Sequence, residues 1–275
     1  LTCGEVTVLA DRDREVGHAY GIDHMSVDRN KYAYGDDCLE YTSTINQRTK
    51  SHNILVLIHG YNNSFSDALA NAVGFGQDTK FNALLIVWCW PSQALASAYY
   101  LDESTNTASI PHFERFFRRL IPTLHRGTVD FLAHSMGSHI LLQLASDFGF
   151  RPAVKSVVFA APDVGQNEFK AKETQFASGF QTLYAFADDR ALMMSKWLHE
   201  FRARAGESGN ALLLMNGLES IDAEAQGHSA IFADREVLRD FEKILQTHEH
   251  AGQRGLTEKT RHGYKYWKLQ HSTKP

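Results

Sequence analysis

The chain has few of the features that would set it apart from an ordinary globular protein. It holds three cysteines in 275 residues, Cys3, Cys38 and Cys89. So small and odd a number argues against a disulfide framework. Cys89 lies in an apolar run and reads as a small core residue, and Cys3 and Cys38 would pair only in an oxidising compartment. Long apolar stretches are missing. The longest is Ala83–Trp90, far short of the roughly 20 residues a membrane-spanning helix needs, so no transmembrane segment is expected. No basic-then-apolar leader follows Leu1, which leaves a soluble product either in the cytoplasm or secreted after loss of a leader. Charge of one sign is also scarce. The net charge is −4; residues 249–275 carry six Lys/Arg against two Glu, which is +4, so the remainder sums to −8. A mildly acidic body disfavours nucleic-acid binding, and the basic tail reads as a solvated segment. No repeat is visible, and no Gly-rich phosphate loop follows any expected strand, which sets aside a nucleotide-binding α/β protein.

With 43% hydrophobic and 22% charged residues, the chain can build a well-buried core. Short apolar runs alternate with helical patterns. Strands are expected at Asn53–Ile58, Leu84–Trp88, Thr128–Ala133, Val154–Ala160 and Thr182–Phe186, with a further one at Leu212–Met215 or around Ser220–Asp222. Helices are expected over Ser64–Gln77, capped by Ser64 or Ser66, from Pro111 to about Leu124, and over Ser138–Phe148, Leu192–Arg202 and Asp234–Gln246. This alternation defines an α/β fold, a mainly parallel sheet with helices on both faces, whose site lies at the carboxyl ends of the strands. Residues 1–50 read as antiparallel edge strands around Val6–Leu9 and Ala19–Val27, residues 51–248 as the core, and 249–275 as a polar tail in which Tyr264–Leu269 alternates like an edge strand.

Four segments carry candidate chemistry. Ala133-His134-Ser135-Met136-Gly137 joins an expected strand to an expected helix. A serine on such a sharp turn is projected above the sheet, and the residues two before and two after it must be small, as Ala133 and Gly137 are. The alternative is a chance small-x-Ser-x-small match. His59-Gly60-Tyr61-Asn62-Asn63 follows the first strong strand, where this architecture places one oxyanion donor; the candidate donors are the N–H groups of Tyr61 and Met136. Taken alone, that segment is equally a plain turn. Asp189, in Phe186–Leu192, sits where a carboxylate orients a histidine, with Asp188 as the close alternative on register and Asp163, after the preceding strand, as a third candidate whose other reading is a turn cap. His228 is the histidine that follows the acid in chain order, in a glycine-preceded loop. His59 and His134 read as loop-shaping residues, and His139 and His199 as helical ones.

The combination of His59-Gly60-Tyr61, Ala133–Gly137, Asp189 and Gly227-His228 resembles the esterase/lipase branch of the α/β-hydrolase superfamily. More narrowly, His59–Phe65, Trp90-Pro91-Ser92, Ala160–Val164 and Asp189–Leu192 look like a bacterial family of hydrolases known as a domain of unknown function. The resemblance covers about residues 53–246 and departs at Ala133, where the commoner elbow has glycine. It implies a Ser135–Asp189–His228 triad, an acyl-enzyme and a small ester or acyl substrate, without metal or organic cofactor. Carboxylic esters are the first expectation; thioesters, lactones, amides, acyl transfer and a non-catalytic binding scaffold remain alternatives. Trp90, Tyr99 and Tyr100 are candidate substrate contacts, the last two in a stretch that reads either as a short lid or as a surface loop. His248-Glu249-His250 has too few ligands for a metal site.

Overall fold

The computed structural model describes residues 2–8, 15–18, 25–34, 37–48, 53–123, 127–148, 154–173 and 179–269. Among them, eight strands form one sheet in the order β4-β3-β5-β6-β7-β8-β10-β9. The strands are β3 (Ile54–Ile58), β4 (Leu84–Trp88), β5 (Val129–His134), β6 (Val154–Ala160), β7 (Phe180–Ala187), β8 (Leu218–Gln226), β9 (Thr257–Arg261) and β10 (Tyr264–Leu269). All neighbours run parallel except β9, which turns back antiparallel on β10. The fold is that of an α/β hydrolase.

Buried strands with both faces covered need apolar residues on both sides, and the period of two divides them. Ile54, Val56 and Ile58 join Phe131, Ala133, Val157 and Phe159 on one face. There they meet α3 (Tyr99–Leu120) and α4 (Ser138–Phe148), with α1 (Asp37–Arg48) beside α3 and α5 (Gln166–Glu173) beside α4. Leu55, Leu57, Leu132, Val158 and Tyr184 face the other way. They meet α2 (Phe65–Asp78), the short α7 (Ala230–Ala233) and α8 (Arg235–Thr247). Ser64 caps α2 through a reciprocal pair with Asp67, and Asp234 caps α8. The remaining helix, α6 (Arg190–Leu198), starts at the end of β7 with Asp189 as its cap.

Several elements depart from the sequence reading. The N-terminal strands β1 (Thr2–Val8) and β2 (Met25–Tyr34) pair antiparallel with each other in a separate sheet, not along an edge of the main one; residues 19–24 and Leu9 lie outside the described residues. Pro111 does not open a helix but lies inside α3. An interior proline costs roughly 3 kcal/mol, and here a long buried face of Tyr99, Phe113, Phe116, Phe117 and Leu120 offsets it. Most of the mixed stretch 92–110 is therefore helix. Of the two candidates beyond β7, Ser220–Asp222 is strand and Leu212–Met215 is not. Tyr264–Leu269 is a strand but an interior one, because β9 lies outside it. The polar sequence of β9, Thr-Glu-Lys-Thr-Arg, hid it, and charge of that kind suits an exposed edge.

Candidate active site

The carboxyl ends of β3, β5, β7 and β8 bring the sequence-marked residues into one region. Ser135 follows β5 with φ of 52°, in the left-handed region, and opens a tight 3-10 turn before α4. A residue with a β-carbon is strained there, which is the geometry of a serine projected from a sharp strand-to-helix turn. The neighbours must be small. A β-carbon on Gly137 would lie 2.5 Å from the His59 carbonyl oxygen, and one on Gly60 would lie 2.8 Å from Ser135 Cβ. The loop after β3 and the serine turn thus pack backbone against backbone. Ala133 fills the remaining small position within β5, fully buried.

Asp189 and His228 meet at 2.7 Å, Nδ1–H of the histidine donating to Oδ2 of the carboxylate. The other oxygen of Asp189 accepts the Leu192 N–H at 2.9 Å, so capping α6 also fixes the plane of the carboxylate. With Nδ1 protonated, Nε2 of His228 carries a lone pair. The loop holding His228 is tied down by His134, whose Nε2–H donates to the His228 carbonyl at 2.9 Å. Burial, then the neighbouring His228, pushes the His134 imidazole down to about 3. It is a neutral donor at physiological pH, and its ring lies 4.7 Å from that of His228.

Met136 follows the serine directly, and Tyr61 follows Gly60, which packs against Ser135. Met136 lies in the first turn after β5, where N–H groups lack intrahelical acceptors. The Tyr61 N–H has no acceptor among the described residues; beside it the Asn62 N–H donates to Asp102, and Asn63 Nδ2 donates to the Gly60 and Tyr61 carbonyls. Trp90, a candidate substrate contact, packs against the loop after β3. It is buried, stacks on His59 at 4.8 Å, and donates its indole N–H to the His59 carbonyl. It supports the loop from behind. Burial lowers the His59 pKa, so the neutral ring has one N–H for the two carbonyls it faces, Gly60 and Trp90.

The remaining candidates fall elsewhere. Asp188 is exposed with φ of 49° and makes no histidine contact among the described residues. Asp163 is buried in an ion pair with Arg204 at 2.7 Å and also accepts from Ser195 at 2.5 Å and Tyr99 at 2.7 Å. Burial alone would raise its carboxyl; Arg204 and the two hydroxyls hold it below the usual value. Tyr99, a candidate substrate contact, is a buried partner of Asp163, and burial raises its phenol. Tyr100 is 58% exposed and donates to the Leu198 carbonyl. No cluster of metal ligands occurs among the described residues; His248 and His250 bind Asp130 and Glu219 instead. A cavity of about 830 Å³ lies away from Ser135, between α8 and β10, and its Arg254 and Arg239 are paired with Asp240 and Glu236. No helix among the described residues is long and apolar enough to cross a membrane.

Sequence reasoning missed three residues of this region. Asp102 and Arg204 stand alone among ordinary helical and loop charges, so nothing in their spacing marked them. His134 was visible as a flank of the serine, but its bond to His228 spans 94 positions and is legible only in three dimensions.

The fold is that of an α/β hydrolase. Residues 39–227 match the model of the family described as "Alpha/beta hydrolase of unknown function (DUF900)", and the chain belongs to that family. Among solved structures it is similar to a predicted CIB-like hydrolase from Thermoplasma acidophilum, at 17% identity over 71% of this chain and 87% of that one, with a TM-score of 0.43. It is also similar to a lipase-esterase related protein from Clostridium acetobutylicum (14% identity, 70% and 95% of the two chains, TM-score 0.44) and to the carboxylesterase CesB from Bacillus subtilis (10%, 72% and 85%, TM-score 0.40). No curated protein matches the chain.

Proposed function

We propose that this chain is a serine hydrolase that cleaves carboxylic esters through an acyl-enzyme on Ser135. The observation that carries this reading is the 2.7 Å bond between His228 and Asp189, which lie 39 positions apart and meet at the sheet end that presents a left-handed serine. In the proposed reaction Nε2 of His228 removes the hydroxyl proton as Ser135 Oγ attacks the ester carbonyl. Asp189 holds the tautomer and stabilises the imidazolium. The N–H groups of Tyr61 and Met136 receive the oxyanion. The imidazolium then protonates the leaving alcohol. Water, activated by the same histidine, releases the acid. No step needs a metal or organic cofactor, and the substrate is a small ester or acyl compound. Thioesters, lactones, amides and transfer to an alcohol share the tetrahedral intermediate, so the acyl donor is the open variable.

The test is turnover of p-nitrophenyl esters, from acetyl to long acyl chains, by wild type and Ser135→Ala, together with labelling by a fluorophosphonate. Turnover and labelling that both vanish in the folded variant support the reading. Wild-type protein that neither turns over nor labels is a binding scaffold on a hydrolase fold.

A further inference from the structure

Behind the Tyr61 loop lies a carboxylate that the proposed chemistry does not use. Asp102 sits in the first turn of α3 and is fully buried. Its Oδ2 accepts from the Asn62 N–H at 3.2 Å and the Ser92 hydroxyl at 2.6 Å, and its Oδ1 accepts from the Gln93 N–H at 2.6 Å. All three partners are neutral. A carboxylate taken out of water without a cation is costly to keep, and it is tolerated only where several donors converge on it.

Among the described residues, the donors come from two loops. Asn62 belongs to the loop after β3, and Ser92 and Gln93 to the segment after β4. The same two loops are also joined by the Tyr61 hydroxyl, which donates to the Ala96 carbonyl, and by the Trp90 indole N–H, which donates to the His59 carbonyl. α3 itself is anchored by Tyr99, Phe113, Phe116, Phe117 and Leu120, so Asp102 adds no packing that the helix lacks. Asn62 is held at φ of 57°, a region a non-glycine residue enters at a cost. The bond to Asp102 holds the Asn62 N–H away from other acceptors, while Asn63 holds the Gly60 and Tyr61 carbonyls. The Tyr61 N–H is left without an acceptor among the described residues.

We propose that Asp102 is a positioning residue for the oxyanion hole: its carboxylate clamps the Tyr61–Asn62 peptide to the 92–96 segment and so sets the aim of the Tyr61 N–H. The proposal rests on the serine-hydrolase reading and specifies what holds its donor in place. An amide cannot replace the carboxylate. Asparagine has one acceptor and one donor end, so either the Gln93 N–H or the Asn62 N–H would face an NH₂ group at hydrogen-bond distance.

The experiment compares wild type, Asp102→Asn and Asp240→Asn, the last altering a buried carboxylate paired with Arg254 far from Ser135. Steady-state ester turnover, the rate of fluorophosphonate labelling and thermal midpoints are measured on each. Asp102→Asn is expected to lower kcat on the order of 10²-fold, as loss of one oxyanion donor does, with KM changed far less and labelling slowed in parallel. Asp240→Asn is expected to lower the midpoint and leave kcat unchanged. An Asp102→Asn protein that loses stability but keeps kcat and labelling rate, as the Asp240 control does, overturns the proposal. If Asp102→Asn does not fold, Asp102→Glu keeps both acceptors one methylene further out; unchanged kcat there overturns it equally, and a lowered kcat with near-normal KM supports it. Wild-type protein inert to both substrate and probe removes the underlying reading, and this proposal with it, before any variant is made.

Discussion

Asp163 and Asp189 occupy equivalent places in the sheet and do opposite things. Each follows a strand, β6 and β7; each turn contains a left-handed residue, Ala161 at 46° and Asp188 at 49°; and both carboxylates are buried. Asp163 is closed. Arg204 neutralises it, Ser195 and Tyr99 donate to it, and its backbone N–H binds the Ser135 carbonyl at 3.2 Å. Its carboxylate holds Tyr99 of α3, Ser195 of α6 and Arg204 together, while its backbone N–H braces the serine turn. Asp189 is open. One oxygen caps α6 and the other meets a histidine. Position at a strand end makes a carboxylate eligible to orient a catalytic histidine, and the groups that already saturate it decide whether it does.

The largest test of that contrast is Asp189→Asn. Asparagine still caps α6, so the thermal midpoint should move little. Its amide presents the wrong partner to Nδ1, and kcat for ester turnover should fall on the order of 10⁴-fold, the size seen for such a change in a serine triad. A loss under tenfold would break the pairing of roles. Asp163→Ala should reverse the pattern. It strands the Arg204 guanidinium in the interior, which costs about 3–5 kcal/mol, readable from urea unfolding. The folded fraction should keep kcat within roughly tenfold, because the Ser135 contact runs through the backbone.

The sequence marked the open acid more readily than the closed one for a physical reason. Asp189 precedes a helix whose first turn it caps, and His228 follows a flexible glycine before an amphipathic helix, so both had local signatures. β5, β6, α4 and α8 were legible because their apolar residues recur at a single period. The closed acid, by contrast, is defined by Tyr99, Ser195 and Arg204, which lie 64, 32 and 41 positions away. No local pattern encodes such a network. The same holds for Asp102, whose donors sit on two other loops. Tyr99, in a stretch that read as a short lid or a surface loop, is instead turned inward by α3 onto Asp163. Pro111 misled for a related reason, since tertiary burial overrode its local preference to begin a helix.

A third test concerns the histidine that braces the open side. His134 is held at about 3 in the folded protein, against 6.5 when exposed. Between those values the unfolded chain binds a proton that the folded chain refuses, so stability falls as pH is lowered through 6.5, on the order of 1.4 kcal/mol per pH unit from this group. Glu168, held at about 2 chiefly by its bond to His139, adds a loss of the same sign below 4.5. His134→Gln retains a donor for the His228 carbonyl and removes the titration. Its urea midpoint should therefore decline less steeply than that of wild type between pH 6.5 and 4.5. Parallel curves would mean that His134 is not the group that couples burial to acid lability.

The smallest expected effect separates Asp189 from its neighbour. Asp188 is exposed and lies in the left-handed region, which aspartate and asparagine tolerate better than most residues. Asp188→Asn should therefore leave stability within about 0.5 kcal/mol and kcat within a few-fold of wild type. The comparison is useful because the two residues differ by one position in register, and a slip of one would exchange their roles. A large loss of kcat in Asp188→Asn, with Asp189→Asn active, would mean that the acid reaching His228 in solution is the neighbour. The strand end would then be wound by one residue relative to the α6 cap, and the bond between Asp189 and His228 would have to give way to a new pair.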